Sequence, residues 1–374
     1  KGMRIMKKTL TTLGALALTT AAAHAGGIDR SGQSVLAIFE KGNYAELSFG
    51  RVMPDVSGVA AAGLGGFASC DMAGDYNQIG MAVKTDLGKN LSFALIMDQP
   101  FGAKVNYPVL AVPPAVYYAA GSTAALSTTA VTGVLKYTTE SNVSIYGGVR
   151  YETMRAEASV PFVASYRVSS DTSGAAGYLV GVAYEKPEIA LRVALTYNSK
   201  ISHDFNTVEA SLLTGGLDVA STTTVNSPQS VNLDFQSGVA KDTLVFGSIR
   251  WVDWSSFVIN PTNYPPASAL VSYDNDTVTY SIGIGRRFNE NWAGAISLGY
   301  EGKSGGFASN LGPTDGKKSI TIGATYTKDN WKVSGGVSYV MIGDAQTTLN
   351  GTTASANFTD NSAVGVGLRI GYSF

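Results

Sequence analysis

From residue 43 to the end, the chain alternates apolar and polar positions in segments of about ten residues, each closed by turn residues. The last segment is the clearest. Val364, Val366, Leu368, Ile370, Tyr372 and Phe374 fall on one face, and Gly365, Gly367, Arg369, Gly371 and Ser373 on the other. A period of two is that of a β-strand. Ile320, Ile322, Ala324 and Tyr326 alternate with Ser319, Thr321, Gly323 and Thr325, and Leu191, Val193, Leu195 and Tyr197 alternate with Arg192, Ala194, Thr196 and Asn198. The pattern predicts fourteen strands, near 43–52, 75–86, 90–99, 127–139, 142–159, 176–185, 189–201, 228–238, 243–256, 276–288, 291–302, 318–328, 331–342 and 362–374. A soluble β-sandwich would also alternate, but it accounts poorly for so many long strands and for a terminal aromatic.

The predicted connections alternate in length. Six are tight, at 87–89, 140–141, 186–188, 240–242, 289–291 and 328–330. Seven are long, at 53–74, 100–126, 160–175, 202–227, 257–275, 303–317 and 343–361. That arithmetic fits fourteen antiparallel strands with both ends on the short-turn side, which in outer-membrane barrels faces the periplasm. A closed barrel also satisfies every strand's hydrogen bonds within lipid, which an open sheet cannot. The fold expected is therefore all-β, a transmembrane antiparallel β-barrel. Aromatics near strand ends (Tyr44, Phe49, Tyr76, Trp251, Trp254, Phe257, Trp292 and Trp331) are expected at headgroup depth.

Composition sharpens this picture. The 374 residues include 43 Gly and 19 Tyr, with only 15% charged residues, against about 25% in ordinary soluble domains. After the first turns of the chain there is no apolar run long enough for a membrane helix. The start reads as a signal peptide, 1–25: Lys7 and Lys8, an apolar stretch at 10–18, then Ala23-His24-Ala25 before the cleavage point. Its removal leaves 23 basic against 28 acidic residues, which argues against nucleic acid as a partner. Residues 26–42 are a short plug-like segment, and 43–374 the barrel.

Chemistry is sparse. Cys70 is the only cysteine, and His203 the only histidine beyond the leader. A Cys-His nucleophile or a histidine metal site is thus not expected. His203 and Asp204 read as loop residues with no nucleophile elbow, so no enzyme is expected, no cofactor, and no catalytic or metal residue. Asp171, Asp204, Asp274 and Asp276 in long loops read as solvated rather than as a calcium site.

Residues 180–206, VGVAYEKPEIALRVALTYNSKISHDFN, resemble the outer-membrane long-chain fatty acid transporter family, which includes aromatic-hydrocarbon importers (FadL/TodX-like). Gly181, Tyr184 and Glu185 match its G-x-x-Y-E strand, and 194–199 match its A-L-T-Y-R-S-like strand, with Asn198 where arginine is common. Pro228, Leu233, Trp251, Trp254 and Phe257 fall on a second family element, and the Gly371-Tyr372-Ser373-Phe374 ending also fits. The resemblance implies a fourteen-stranded barrel occluded by an N-terminal plug. It further implies capture of hydrophobic ligands by an outer apolar groove, and a kink in the third strand that lets ligand leave sideways into the membrane. The chain departs from the family at the plug: it is shortened, and Ser34-Val35-Leu36 stands where Asn-Pro-Ala is expected. Asp29, Arg30 and Gln33 still suit a polar barrel interior.

Three regions are candidate sites. The loop carrying Phe101, Tyr107, Val109, Leu110, Val112, Val116, Tyr117 and Tyr118 is apolar and proline-rich. It reads either as the outer capture site or as loops packing on themselves. Asp98, Gln99, Pro100 and Gly102 mark a break, because Pro100 has no amide hydrogen for the ladder and Gly102 permits a bend. Arg155 would face the lumen and pair a carboxylate head group, or else Glu152 or Glu157; Arg192, Arg250 and Lys136 are similar. The expected function is passive outer-membrane transport of a hydrophobic compound, a long-chain fatty acid first. Lipid and lipopolysaccharide are the surrounding partners. A polar-solute porin, or an adhesin or structural barrel, is the alternative. Burial of an alkyl chain, about 0.8 kcal/mol per methylene, would supply the affinity.

Overall fold

The computed structural model describes residues 27–109, 116–265 and 269–374. Leu110, Val112 and the leader at 1–25 lie outside the described residues. Fourteen strands form one closed antiparallel ring. They are β1 (Tyr44–Asp55), β2 (Tyr76–Asp86), β3 in two pieces (Leu91–Asp98 and Gly102–Asn106), β4 (Thr123–Thr138) and β5 (Val143–Val160). Next come three more split strands: β6 (Tyr166–Ser170 and Ser173–Lys186), β7 (Leu191–Asn198 and Ile201–Ala210) and β8 (Val219–Ser227 and Ser230–Ala240). The ring continues through β9 (Thr243–Val252), β10 (Thr277–Arg287), β11 (Trp292–Glu301), β12 (Lys317–Lys328), β13 (Trp331–Ile342) and β14 (Ser362–Ser373). Pairing of β1 with β14, from Tyr44↔Ser373 to Asp55↔Ser362, closes it.

Alternation decides which side each residue takes. Ile282, Ile284, Leu298, Ile322, Val337 and Leu368 are exposed on the outer wall, where lipid replaces water. The inner wall is polar and partnered: Thr321 donates to Ser338 Oγ at 2.9 Å, and the hydroxyls of Thr325 and Ser334 meet at 2.8 Å. Two aromatic belts edge the outer face. Trp292 packs on Tyr326 and Trp331 on Tyr372 near the short turns, while Tyr280, Tyr300 and Tyr339 are exposed further along. Trp292 precedes Tyr300, and Trp331 precedes Tyr339, by the same interval in sequence. At about 3.3 Å per residue and a tilt of about 40°, that interval spans roughly 20 Å, close to the height of a membrane band. Among the described residues no helix is long and apolar enough to cross a membrane, which leaves the strands to do so.

Four aromatics assigned by sequence to headgroup depth are inside instead. Tyr44, Trp254 and Phe257 are buried, and Tyr76 lies under a guanidinium of the N-terminal segment. Strand-end position alone does not say which face a ring takes. Two expected long loops are also short. The connection after β5 is 161–165 and that after β7 is 211–218. The stretch expected to be loop, 202–210, alternates as well: His203, Phe205, Thr207 and Glu209 are buried, while Ser202, Asp204, Asn206 and Val208 are exposed. Its outer face is polar, so the apolar alternation fails there although the strand continues.

Residues 27–42 run inside the ring. Ile38 and Phe39, on a 3-10 turn (Leu36–Phe39), pack with Ala94, Val134, Tyr146 and Leu179 toward the short-turn rim. Lys136 and Arg192 lie over the Phe39 ring at 4.7 and 5.0 Å. Further up, Asp29 pairs with Arg250 at 2.7 Å and Gln33 accepts from Ser230 at 2.7 Å. Gly27 sits against the Trp254 indole, where a Cβ would meet ring carbons at 2.9 Å. Phe374, whose amide bonds Asn43 O, lies at the short-turn rim, and the first described residues lie in the lumen.

Candidate functional site

The third strand breaks where proline forbids a ladder bond. β3 stops at Asp98 and resumes at Gly102 rather than ending. Asp98 faces Ala130 on β4 and Gly102 faces Ser127, so three residues of β3 stand against two of β4. This is a bulge, and side chains replace the lost backbone bonds. The Thr128 hydroxyl accepts from Phe101 N at 2.8 Å and donates to Phe101 O at 2.8 Å. On the other flank, Ile79 N donates to Gln99 Oε1 at 3.0 Å.

The kinked residues turn inward to pair with the N-terminal segment. Arg30 N donates to Pro100 O and Gly102 N to Ile28 O, each at 2.8 Å. β2 thereby loses its neighbour. Its ladder pairing with β3 ends at Met81↔Met97, while Tyr76 to Gly80 keep ladder pairing with β1 alone. Pairing returns above at the Ala73↔Val105 bridge. The wall thus has a bounded gap between β2 and β3. Arg30 occupies its inner side, its guanidinium 4.0 Å from the Tyr76 ring centroid. Gly102 allows this because any Cβ there would overlap the Arg30 guanidinium. Burial holds the Arg30 pKa below its ordinary value, with Tyr76 acting in opposition.

Beside the gap lies an apolar cavity of about 70 Å³. Ile28, Leu126, Phe205, Val225, Phe257 and Leu270 line it. Phe101, buried edge-on against Trp254 at 5.8 Å, belongs to the same cluster. No cation is among its lining residues. Sequence reasoning missed Phe205 and Val225 because they lie on strands read as loop. The period of two in 201–209 was the available signal.

A buried polar layer lies next to this cluster. Glu152 accepts from Ser227 Oγ and lies 3.2 Å from His203 Nε2. Arg150 donates to Thr132 Oγ1 at 3.0 Å and to Asn198 Oδ1 at 3.3 Å. Ser31 donates to Asp98. His203 is therefore a fully buried strand residue rather than a loop residue. Arg155, expected in the lumen, points outward and is exposed, as are Tyr151 and Glu157. Parity explains the correction: Arg150, Glu152 and Met154 take the inner face of β5, and an odd-numbered neighbour cannot. Arg192, Arg250 and Lys136 do face inward.

The aromatic loop packs on itself. Tyr107 stacks on Tyr117 at 5.4 Å, and Tyr117 lies 4.5 Å from Tyr118, which meets Phe162 edge-on. Tyr107 donates to Asn310 O at 2.6 Å and Tyr118 to Asn310 Oδ1 at 2.5 Å. Burial pushes the Tyr107 and Tyr117 hydroxyls well above the usual tyrosine value, so they stay neutral. Val109 is exposed and Val116 half-buried. None of these residues lines the apolar cavity. Among the described residues no His, Cys, Asp and Glu cluster could hold a metal.

A family model described as outer membrane protein transport protein (OMPP1/FadL/TodX) matches residues 71–374. A solved Pseudomonas aeruginosa FadL homologue superposes with a TM-score of 0.73 at 13% identity, over 90% of this chain and 91% of that one. The P. putida toluene transporter TodX gives 0.63 at 12% identity, over 91% and 92%. The Ralstonia pickettii toluene transporter TbuX gives 0.62 at 14% identity, over 89% and 90%. At these identities the likeness shows the fold. No curated protein matches the sequence.

Proposed function

We propose, for a chain that belongs to the outer membrane protein transport protein family (OMPP1/FadL/TodX), passive passage of small neutral hydrophobic compounds through the lumen and out through the β2–β3 gap. As a member of that family it is an outer-membrane barrel transporting hydrophobic compounds. The observation that carries the finer reading is the apolar cavity beside the gap, lined by Phe205, Val225 and Phe257 with no cation among its lining residues. A hydrocarbon gains about 25 cal/mol per Å² of apolar surface removed from water and needs no ionic partner. Neither energy source nor cofactor enters: a solute partitions into the cavity, then into lipid. The long-loop rim faces outward and the short turns face the periplasm in this reading, and residues 27–42 close the lumen to polar solutes.

A second reading rests on Arg150. Its hydrogen bonds go to neutral oxygens of Thr132 and Asn198 and its charge acts on the buried Asp98 carboxylate, so the carboxylate of a long-chain fatty acid reaching below the cavity would compete with Asp98 for it. Uptake of radiolabelled toluene and of oleate by a receptor-deficient strain separates the two. Toluene uptake above vector background with no gain for oleate supports the neutral class, and the reverse result transfers the function to fatty acids. No gain for either compound overturns both.

A further inference from the structure

The connection between β7 and β8 carries three exposed leucines within one tight turn. Leu212, Leu213 and Leu217 are 68%, 75% and 71% exposed. Single apolar residues are ordinary on a protein surface, but a contiguous group at a loop tip marks a contact surface. The turn holds them out. Ser211 Oγ accepts from Leu213 N at 3.2 Å, and Thr214 Oγ1 accepts from Ser211 N at 3.0 Å, a capping box on the 3-10 turn Leu212–Thr214. Gly216 N donates to Ser211 O, and Leu212 N to Ala164 O on the neighbouring connection, each at 2.8 Å.

The barrel's own lipid ends well below these side chains. Tyr178, exposed like Tyr280 and Tyr300, has its ring 6.1 Å from that of Tyr197 and marks the upper belt on β6 and β7. Beyond it the second piece of β7, Ile201–Ala210, climbs roughly 25 Å, at about 3.3 Å per residue and a tilt of about 40°. Over that height the outer face is polar: Ser202, Asp204 and Asn206 are exposed on β7, and Thr222 and Thr224 on β8. None of the three leucines lines the apolar cavity either.

Area and charge narrow the partner. The three leucines offer roughly 400 Å², against about 800 Å² per partner in a stable protein interface, too little for a second copy of the chain. Residues 211–217 carry no charge, and the flanking Asp218 is paired with Arg167 at 2.7 Å. A lipid bilayer would meet the tip with its headgroups, and the turn has neither the aromatic nor the basic residues that bind at that depth. What fits is an uncharged apolar liquid, which deforms around a projecting group and needs no polar match.

We propose that this tip docks on the surface of a hydrocarbon droplet and brings the outer rim of the barrel against a liquid phase of the compounds it carries. The proposal rests on the reading above, in which the long-loop rim faces outward and the carried compounds are hydrophobic. It adds a contact with the source phase, distinct from the cavity that takes up single molecules.

The test uses the full barrel in nanodiscs of neutral phospholipid, mixed with a hexadecane emulsion and centrifuged. The barrel is expected to float with the droplets about tenfold above empty nanodiscs, and the triple variant Leu212→Ser, Leu213→Ser, Leu217→Ser should return it to that background. Flotation should be constant between about 50 and 500 mM salt, because the tip is uncharged. Equal flotation of wild type and variant overturns the proposal, as does a steep loss with salt. Stronger flotation with phosphatidylcholine vesicles than with hexadecane overturns it in favour of a membrane partner. A concentration-dependent dimer that the variant lacks overturns it in favour of self-association. Should the triple variant fail to fold, Leu213→Ser decides alone, with a fall of about threefold expected. Toluene uptake reads the β2–β3 route and flotation reads the tip, so failure of one leaves the other standing.

Discussion

The Arg30 guanidinium lies 4.0 Å over the ring of Tyr76, at the height where β2 has lost its partner on β3. The contact joins the N-terminal segment to a strand edge that the barrel leaves open. A cation–π contact with a partly desolvated guanidinium contributes about 1–2 kcal/mol, enough to bias the gap toward closure without locking it. Arg30→Ala is expected to raise toluene uptake at subsaturating concentration severalfold in whole cells. Unchanged or reduced uptake at equal barrel abundance would remove Arg30 from the gate.

Gly102 should tolerate no side chain while Arg30 stays in place. Gly102→Leu is expected to displace Arg30 and put a bulky group at the break. Heat-modifiable gel mobility should remain, and uptake should drop. The double variant with Arg30→Ala should recover part of it; failure to recover would show that the leucine acts elsewhere.

Thr128 supplies both hydrogen bonds that the Phe101 backbone lacks from its ladder. Thr128→Val keeps the shape and removes both bonds, leaving a buried amide and carbonyl unpaired. The expected loss is about 2–4 kcal/mol in urea unfolding in lipid vesicles. A change below about 0.5 kcal/mol would mean that Phe101 finds other partners.

Filling the apolar cavity should abolish its occupancy. Val225→Trp projects from the inner face of β8 into the space beside Phe205 and Phe257. Toluene affinity of the purified protein is expected to fall at least tenfold. Retained affinity would place the hydrocarbon site outside this cavity.

The stacked cap of Tyr107 and Tyr117 carries a pH dependence. Both hydroxyls have folded pKa values above the ordinary 10.0 because burial disfavours the phenolate. The unfolded chain therefore releases these protons first. Stability from the cap is complete below about pH 10 and is lost as the pH rises toward the folded values. Tyr107→Phe with Tyr117→Phe should flatten that alkaline decline in thermal denaturation. An unaltered decline would assign it to other tyrosines.

Strand number and the alternation along the strands that face lipid were legible in the sequence, because lipid outside and polar groups inside impose a period of two. Ile320 to Tyr326 and Val364 to Phe374 take the faces their alternation gives. The break at Pro100 was legible too, since an imide nitrogen cannot join a ladder. Legibility ended where the outer face leaves lipid: 201–210 kept its period but lost its apolar signal, and Phe205 went unseen. Arg155 shows the limit of local chemistry, since one step along β5 separates an inner from an outer residue.

The barrel itself follows from the alternating residues alone, through a constraint each strand obeys locally. What crosses the lumen was decided only by tertiary structure. Asp29 and Arg250, Ser31 and Asp98, and Arg30 and Tyr76 meet across the ring. No period or motif encodes those meetings, because they depend on where a short segment lies within a closed wall.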